Sequence, residues 1–240
     1  MPHRTFNIAE VADYLHVPVD DVEQMVRHGD IPFAQRGAHA VFHRGEIDAW
    51  ASQRILGLPA KRLARFHETS LRETRSLLRS EALLPGLIRP EYIDVALAAK
   101  TKASVVRAMV GFAERTGRVG DGREFLESVQ ARETLCPTAL PGGLALLHAR
   151  NHDAFRFDDS FLMLGRTVQS IPFGAPDGYP TRLFLLLCLQ DERLHLHTLA
   201  RICLMALKTD LIADLFHARD AEAAYGALLA AEEAVLLEKR

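Results

Sequence analysis

Apolar residues at Ile8, Val11, Ala12 and Leu15 recur at the three- and four-residue steps of a helix. Asn7 ahead of them, with Glu10 three residues on, has the spacing of a capping box. After a turn at 16–18 a second helix follows, with Val22, Met25 and Val26 inward, and Gly29 suits a left-handed C-cap. Residues 31–33 and 40–42, around Gly37, read as a small hairpin. Residues 46–55 read as a third helix burying Ile47 and Trp50. From 59 to about 84, Leu63, Phe66, Leu71, Leu77 and Leu78 stand among charges, which predicts a partly exposed helix. Pro85-Gly86 marks a boundary. Beyond it, 101–116 is an amphipathic helix, and Asp121 with Glu124 repeats the capping-box spacing. The apolar runs 143–147, 161–164 and 183–189 suit buried strands, and 195–208, 210–217 and 221–238 suit helices. Strands embedded among helices predict an α/β layered domain over 85–240. It follows a small three-helix module at 1–55 and a helical linker at 56–84.

Charge sharpens that division. Residues 1–50 carry four arginines against eight carboxylates, whereas 51–84 carry seven Lys and Arg against three Glu. The net charge of −2 argues against a strongly basic nucleic-acid binder, though charge is segregated along the chain. The longest apolar run, 183–189, is far short of the ~20 residues that span a bilayer. The N-terminus has no apolar stretch of signal-peptide type. Cys136, Cys188 and Cys203 match no zinc or redox spacing, and two of them sit in apolar surroundings that suit reduced thiols. These features predict a cytoplasmic protein with no membrane insertion.

The chemistry-bearing candidate is His148, which ends the run Gly143-Leu144-Ala145-Leu146-Leu147. An imidazole at the end of a buried strand is rigidly aimed and near the surface. Other short signals lie in order along the chain: Leu87-Ile88, Ile93-Asp94-Val95-Ala96-Leu97, Lys100-Thr101-Lys102 and Arg115-Thr116-Gly117. Arg132-Glu133, Pro176-Asp177-Gly178 and His195-Leu196-His197-Thr198-Leu199-Ala200 complete the series. In this order they resemble the fructose/mannitol class of enzyme IIA, with its nitrogen-regulatory members, of the phosphoenolpyruvate-dependent phosphotransferase system. The resemblance runs from Leu87 to Val235. It implies a mixed-sheet domain with flanking helices, opening on a strand across Leu87-Ile88 and then Ile93 to Leu97. It also implies that His148 accepts a phosphoryl group from a phosphocarrier protein of the HPr type, with Arg132 near it and His195 beside the site. A free imidazole titrates near pH ~6.5 and is largely a neutral nucleophile at neutral pH. A guanidinium holds phosphate oxygens with two parallel hydrogen bonds. No metal and no other cofactor is required. His197, two residues from His195, points elsewhere on the helix. The sequence departs from the family in having Leu147 where a proline precedes the histidine. Gly142 and Gly143 allow close backbone approach to a phosphate.

Residues 5–54 resemble an excisionase-type or MerR-like winged helix-turn-helix, on Ile8 to Leu15, Val22, Arg27-His28-Gly29-Asp30-Ile31-Pro32, Gly37, Phe42-His43-Arg44 and Ile47-Asp48-Ala49-Trp50. The resemblance implies a recognition helix at about 19–28 lying in a major groove. Arg27, His28, Arg36 and Arg44 are the candidate DNA contacts. Asp20, Asp21 and Glu23 oppose phosphate neutralisation, so a module turned to protein contact or dimerisation is the equal alternative.

Three functions follow. The first is a regulator whose phosphorylation state, through the charge it adds, alters DNA or protein binding. The second is a phosphocarrier serving a sugar-permease IIB component; a variant that is never phosphorylated would leave only the DNA-binding regulator. The third, a metal-dependent hydrolase using His148, His152, His195 and His197, ranks last because no His-Glu-x-x-His is present.

Overall fold

The computed structural model describes residues 5–37, 39–74, 82–150 and 156–237. The N-terminal module begins with β1 (Thr5–Phe6), α1 (Ile8–Leu15) and α2 (Val19–His28). The wing β2 (Ala34–Arg36) and β3 (His39–His43) and helix α3 (Arg44–Leu56) complete it. The capping box at its entry is formed: Glu10 N donates to Asn7 Oδ1 at 2.9 Å, and Asn7 N donates to Glu10 Oε2 at 2.7 Å. Gly29 closes α2 at φ +69°, a conformation that costs glycine nothing. The three short strands pair in the order β1-β3-β2. Val11, Leu15, Val22, Phe42 and Ile47 are buried between the helices and this sheet.

Helix α4 (Ala60–Thr74) falls in the expected linker but packs along α8 (Glu192–Lys208) of the C-terminal layer. Leu63, His67, Ser70 and Leu71 are buried there, while Lys61, Arg62 and Arg65 stay exposed. Arg201 Nε donates to His67 Nε2 at 2.6 Å and Arg201 Nη1 pairs with Glu232 at 2.6 Å. Glu232 also accepts the amides of Leu83 and Leu84. A buried charge network of this kind is tolerated only when its members find partners. Leu77 and Leu78 lie outside the described residues.

Of the opening strand expected across Leu87-Ile88 and then Ile93 to Leu97, Leu87 instead ends a helical turn, α5 (Leu84–Leu87), and Ile88 is its extended cap. Pro85 is compatible with the first turn of a helix, and Pro90 then opens a 3-10 turn at Pro90–Tyr92. Extended structure starts at β4 (Ile93–Leu97). After it come α6 (Lys102–Glu114), α7 (Gly122–Leu135), β5 (Ala139–Leu140), β6 (Leu144–His148), β7 (Phe161–Ile171) and β8 (Thr181–Cys188). Helices α8, α9 (Leu211–His217) and α10 (Ala221–Leu237) end the chain. Among the described residues the large sheet has the order β4-β7-β8-β6-β5. It is mixed: β4 and β7 run parallel, as do β6 and β8, while the β7–β8 and β5–β6 pairs are antiparallel.

Period-two alternation splits the core into two layers. Leu144, Leu146, Leu183 and Leu185 face one way, into the cluster built with α8 and α10. Ala145, Leu147, Phe184 and Leu186 face the other way, into the cluster with α6 and α7. Cys188 and Cys203 are fully buried free thiols, and burial pushes the Cys203 thiol up to about 12. Among the described residues no helix is long and apolar enough to cross a membrane.

Candidate functional site

His148 is the last residue of β6 and lies opposite Leu187 in the parallel pairing with β8. Alternation turns it to the same face as Leu144 and Leu146, toward α8. Its Nδ1 is 2.8 Å from the Leu146 carbonyl, which can only accept, so Nδ1 carries the proton. Nε2 therefore presents its lone pair, and Arg132 Nε donates to it at 2.9 Å. The imidazole is held with its unprotonated nitrogen against a cation.

Arg132 projects from the last turn of α7. Its Nη1 donates to the Cys136 carbonyl at 3.0 Å, fixing the guanidinium at the helix end. Its Nη2 is buried without a hydrogen-bond partner. An orphaned guanidinium donor beside a nucleophilic nitrogen is a vacancy of the right polarity for an anion's oxygen. Burial pulls the Arg132 pKa down, while Glu133, Cys136 and Asp48 pull it back up. Glu133 turns to the other side, accepting from Thr138 Oγ1 at 2.6 Å and pairing with Lys102 at 2.8 Å.

His195 stands in the first turns of α8, its ring centroid 4.9 Å from that of His148. The N-terminus of α8 aims its partial positive charge toward this region. His197 leaves the site, as its two-residue offset predicts: it stacks on His67 at 4.6 Å and contacts Ser70 Oγ at 2.7 Å. The four-histidine set of the hydrolase reading is therefore not assembled, and His152 lies outside the described residues. Gly142 and Gly143 do not approach the site. They form the β5–β6 turn at φ +90° and +97°, beyond the other end of β6, roughly 17 Å or more along the strand from His148.

Residues from the N-terminal module complete the surroundings. Ser52 Oγ of α3 is 3.4 Å from His195 Nε2, and Arg44 Nε donates to Glu192 of α8 at 2.7 Å. Asp48, also on α3, is 3% exposed and accepts from the Tyr14 hydroxyl at 3.0 Å. Burial first, then Glu192, pushes the Asp48 carboxyl up to about 7, against the Tyr14 hydrogen bond, Arg44 and Arg132, which hold it down. Sequence reasoning missed Asp48, Ser52 and Glu192. The available signal was a carboxylate and a hydroxyl sharing the helical face of Ala51 and Ile55. Of the candidate DNA contacts, Arg27, His28 and Arg36 are exposed. Arg27 lies 3.7 Å from Glu23. Arg44 is turned inward, onto Glu192 and the Phe6 ring.

Over residues 86–231 the chain matches the family described as "Phosphoenolpyruvate-dependent sugar phosphotransferase system, EIIA 2". Residues 5–55 match a helix-turn-helix domain. A nitrogen regulatory protein of Bradyrhizobium diazoefficiens is 32% identical over 148 residues, covering 60% of this chain and 94% of that protein. The fructose-specific EIIABC component of Bacillus subtilis is 22% identical over 139 residues, or 57% of this chain, and the match spans only 21% of that longer protein. Among solved structures, the nitrogen regulatory protein IIA-Ntr from Neisseria meningitidis superposes with a TM-score of 0.54 at 22% identity, covering 60% of this chain and 97% of that one. IIA mannitol from Escherichia coli gives 0.51 at 19% identity, covering 59% and 98%. These structural likenesses speak for the fold. The family match, covering more than half of the chain, identifies it as a member of the EIIA 2 family of the phosphoenolpyruvate-dependent sugar phosphotransferase system, joined to an N-terminal helix-turn-helix domain.

Proposed function

We propose that this protein takes a phosphoryl group onto Nε2 of His148 from a phosphohistidine carrier of the HPr type and uses that state to regulate DNA or protein binding by its N-terminal module. The observation that carries the reading is the pairing of Arg132 Nε with His148 Nε2 at 2.9 Å, while Nδ1 is committed to the Leu146 carbonyl. In the transfer, the Nε2 lone pair attacks phosphorus. The donor's N–P bond breaks, and its electron pair returns to the donor imidazole. Nδ1 keeps its proton throughout, so no base is needed. Such transfer depends on positioning and charge stabilisation. Arg132 supplies both: Nε releases the lone pair as the new bond forms, and Nη2 donates to a phosphoryl oxygen. His195, whose ring lies 4.9 Å from that of His148, would donate a further hydrogen bond.

The test is incubation with phosphoenolpyruvate, enzyme I and phosphocarrier protein, followed by intact mass measurement. One acid-labile phosphoryl group is expected on the wild type and none on His148→Ala. No added mass, or mass retained in His148→Ala, would refute the assignment. Gel shifts on genomic DNA fragments, with and without phosphorylation, then establish whether DNA is the regulated partner.

A further inference from the structure

We infer that the N-terminal module is a plug for the phosphorylation site: α3 sits on the surface through which a donor must reach His148, so α3 docking and His148 phosphorylation exclude one another. The inference rests on the reading of His148 as phosphoryl acceptor.

Access is the first argument. With α3 in place, His148, His195 and Arg132 are 2%, 3% and 1% exposed. A donor phosphohistidine must approach Nε2 in line and within bonding distance, which a buried ring does not permit. Ser52 closes over His195 Nε2 at 3.4 Å and Arg44 clasps Glu192 at the start of α8.

Charge is the second argument. Asp48 brings a carboxyl group into the region that Arg132 serves, where its field is felt. Phosphorylation would add about −1.5 to −2 charges there. The new group would face the Glu192 carboxylate, and Asp48 whenever it is ionised, as like charges. Docked α3 and phosphohistidine therefore disfavour one another.

Mobility is the third. Val11, Leu15, Val22, Phe42 and Ile47 pack within the N-terminal module, so it can hold together when α3 lifts, although that lift must part the apolar cluster continuing into the C-terminal layer. Helix α4 is held to α8 by buried Leu63, the His67–Arg201 hydrogen bond and the Ser70–His197 contact. The turn at 57–59, between α3 and α4, is thus the place where the chain bends. Release would also free Arg44, which docking withholds from any other partner.

The experiment uses the full chain. Phosphoryl acceptance from the phosphocarrier protein is timed for wild type, Arg44→Glu and the charge-swapped pair Arg44→Glu/Glu192→Arg. Hydrogen exchange of residues 44–56 is followed in wild type before and after phosphorylation, which requires no variant to fold. If the open fraction limits the rate, Arg44→Glu is phosphorylated about tenfold faster or more, and the swapped pair returns toward wild type. Exchange in 44–56 rises on phosphorylation. Equal rates for wild type and Arg44→Glu, with unchanged exchange in 44–56, would overturn the plug while leaving His148 as acceptor. Absence of phosphorylation in every form, Arg44→Glu included, would instead refute the acceptor reading and the plug with it.

Discussion

In the proposed role position 132 needs an arginine, because three nitrogens of one planar group serve three ends: Nε bonds His148, Nη1 bonds the Cys136 carbonyl, and Nη2, without a hydrogen-bond partner, would take an anion's oxygen. Lysine offers one point charge for all three. Arg132→Lys should therefore slow phosphoryl acceptance by about 100-fold, on the scale of losing one oriented donor, and a timed phosphorylation assay checks it. Asp48 makes a second prediction at this scale. Its folded pKa, about 7, lies above its ordinary value of 3.8. Between those values the folded chain binds more protons than the unfolded one, so the stability it contributes is full below pH 3.8 and is lost as pH rises through 7. The shift corresponds to a loss on the order of 4 kcal/mol. Asp48→Asn keeps an acceptor for the Tyr14 hydroxyl and removes the buried charge. Denaturant melts at pH 5 and pH 8 should show wild type weakening across that range and Asp48→Asn nearly flat.

The elements bear predictions of a different kind, because a strand or helix must be aimed before its side chains matter. β6 enters the sheet through Gly143 at φ +97°, where an added Cβ would stand 3.2 Å from the Phe216 ring and 3.3 Å from the Pro180 carbonyl. Gly143→Ala should cost about 1–3 kcal/mol through strain and crowding, read as a lowered urea midpoint. Helix α8 is aimed from its middle. Arg201 is fully buried between His67 and Glu232, and Glu232 receives two amides. Arg201→Met leaves a buried carboxylate without its cation and should destabilise by about 3–5 kcal/mol. That loss would appear in thermal unfolding and in faster exchange of α4. The same scale shows why strand lengths were only partly legible. The apolar run at 161–164 predicts a short strand, but β7 continues to Ile171 through Gly165 and Arg166. Gly165 lets Met109 and Leu97 close on the backbone, since a Cβ there would stand 2.5 Å from the Met109 sulfur. Arg166 earns its half-buried place by donating to the carbonyls of Leu215 and Phe216 at the end of α9. Neither partner is visible from the local pattern.

At the scale of the molecule, the two matched regions share one continuous apolar cluster reaching from Val11 to Val235. Unphosphorylated protein should therefore unfold in a single thermal transition. If phosphorylation lifts α3 from α8, calorimetry of the phosphorylated chain should show an earlier, separate transition carrying the N-terminal module. What the chain settles locally was legible without any coordinates. Helical periodicity, the Asn7–Glu10 box, the αL glycine at 29 and the apolar strand ending in His148 are all set by neighbours a few residues away. The ordered motifs likewise named His148, Arg132 and His195, which the fold then brings together. The contact of Ser52 with His195, and the commitment of Arg44 to Glu192 across 148 residues of chain, were decided only in three dimensions. Contacts between distant segments depend on which surfaces can exclude water together, and no local repeat of apolar residues encodes that choice.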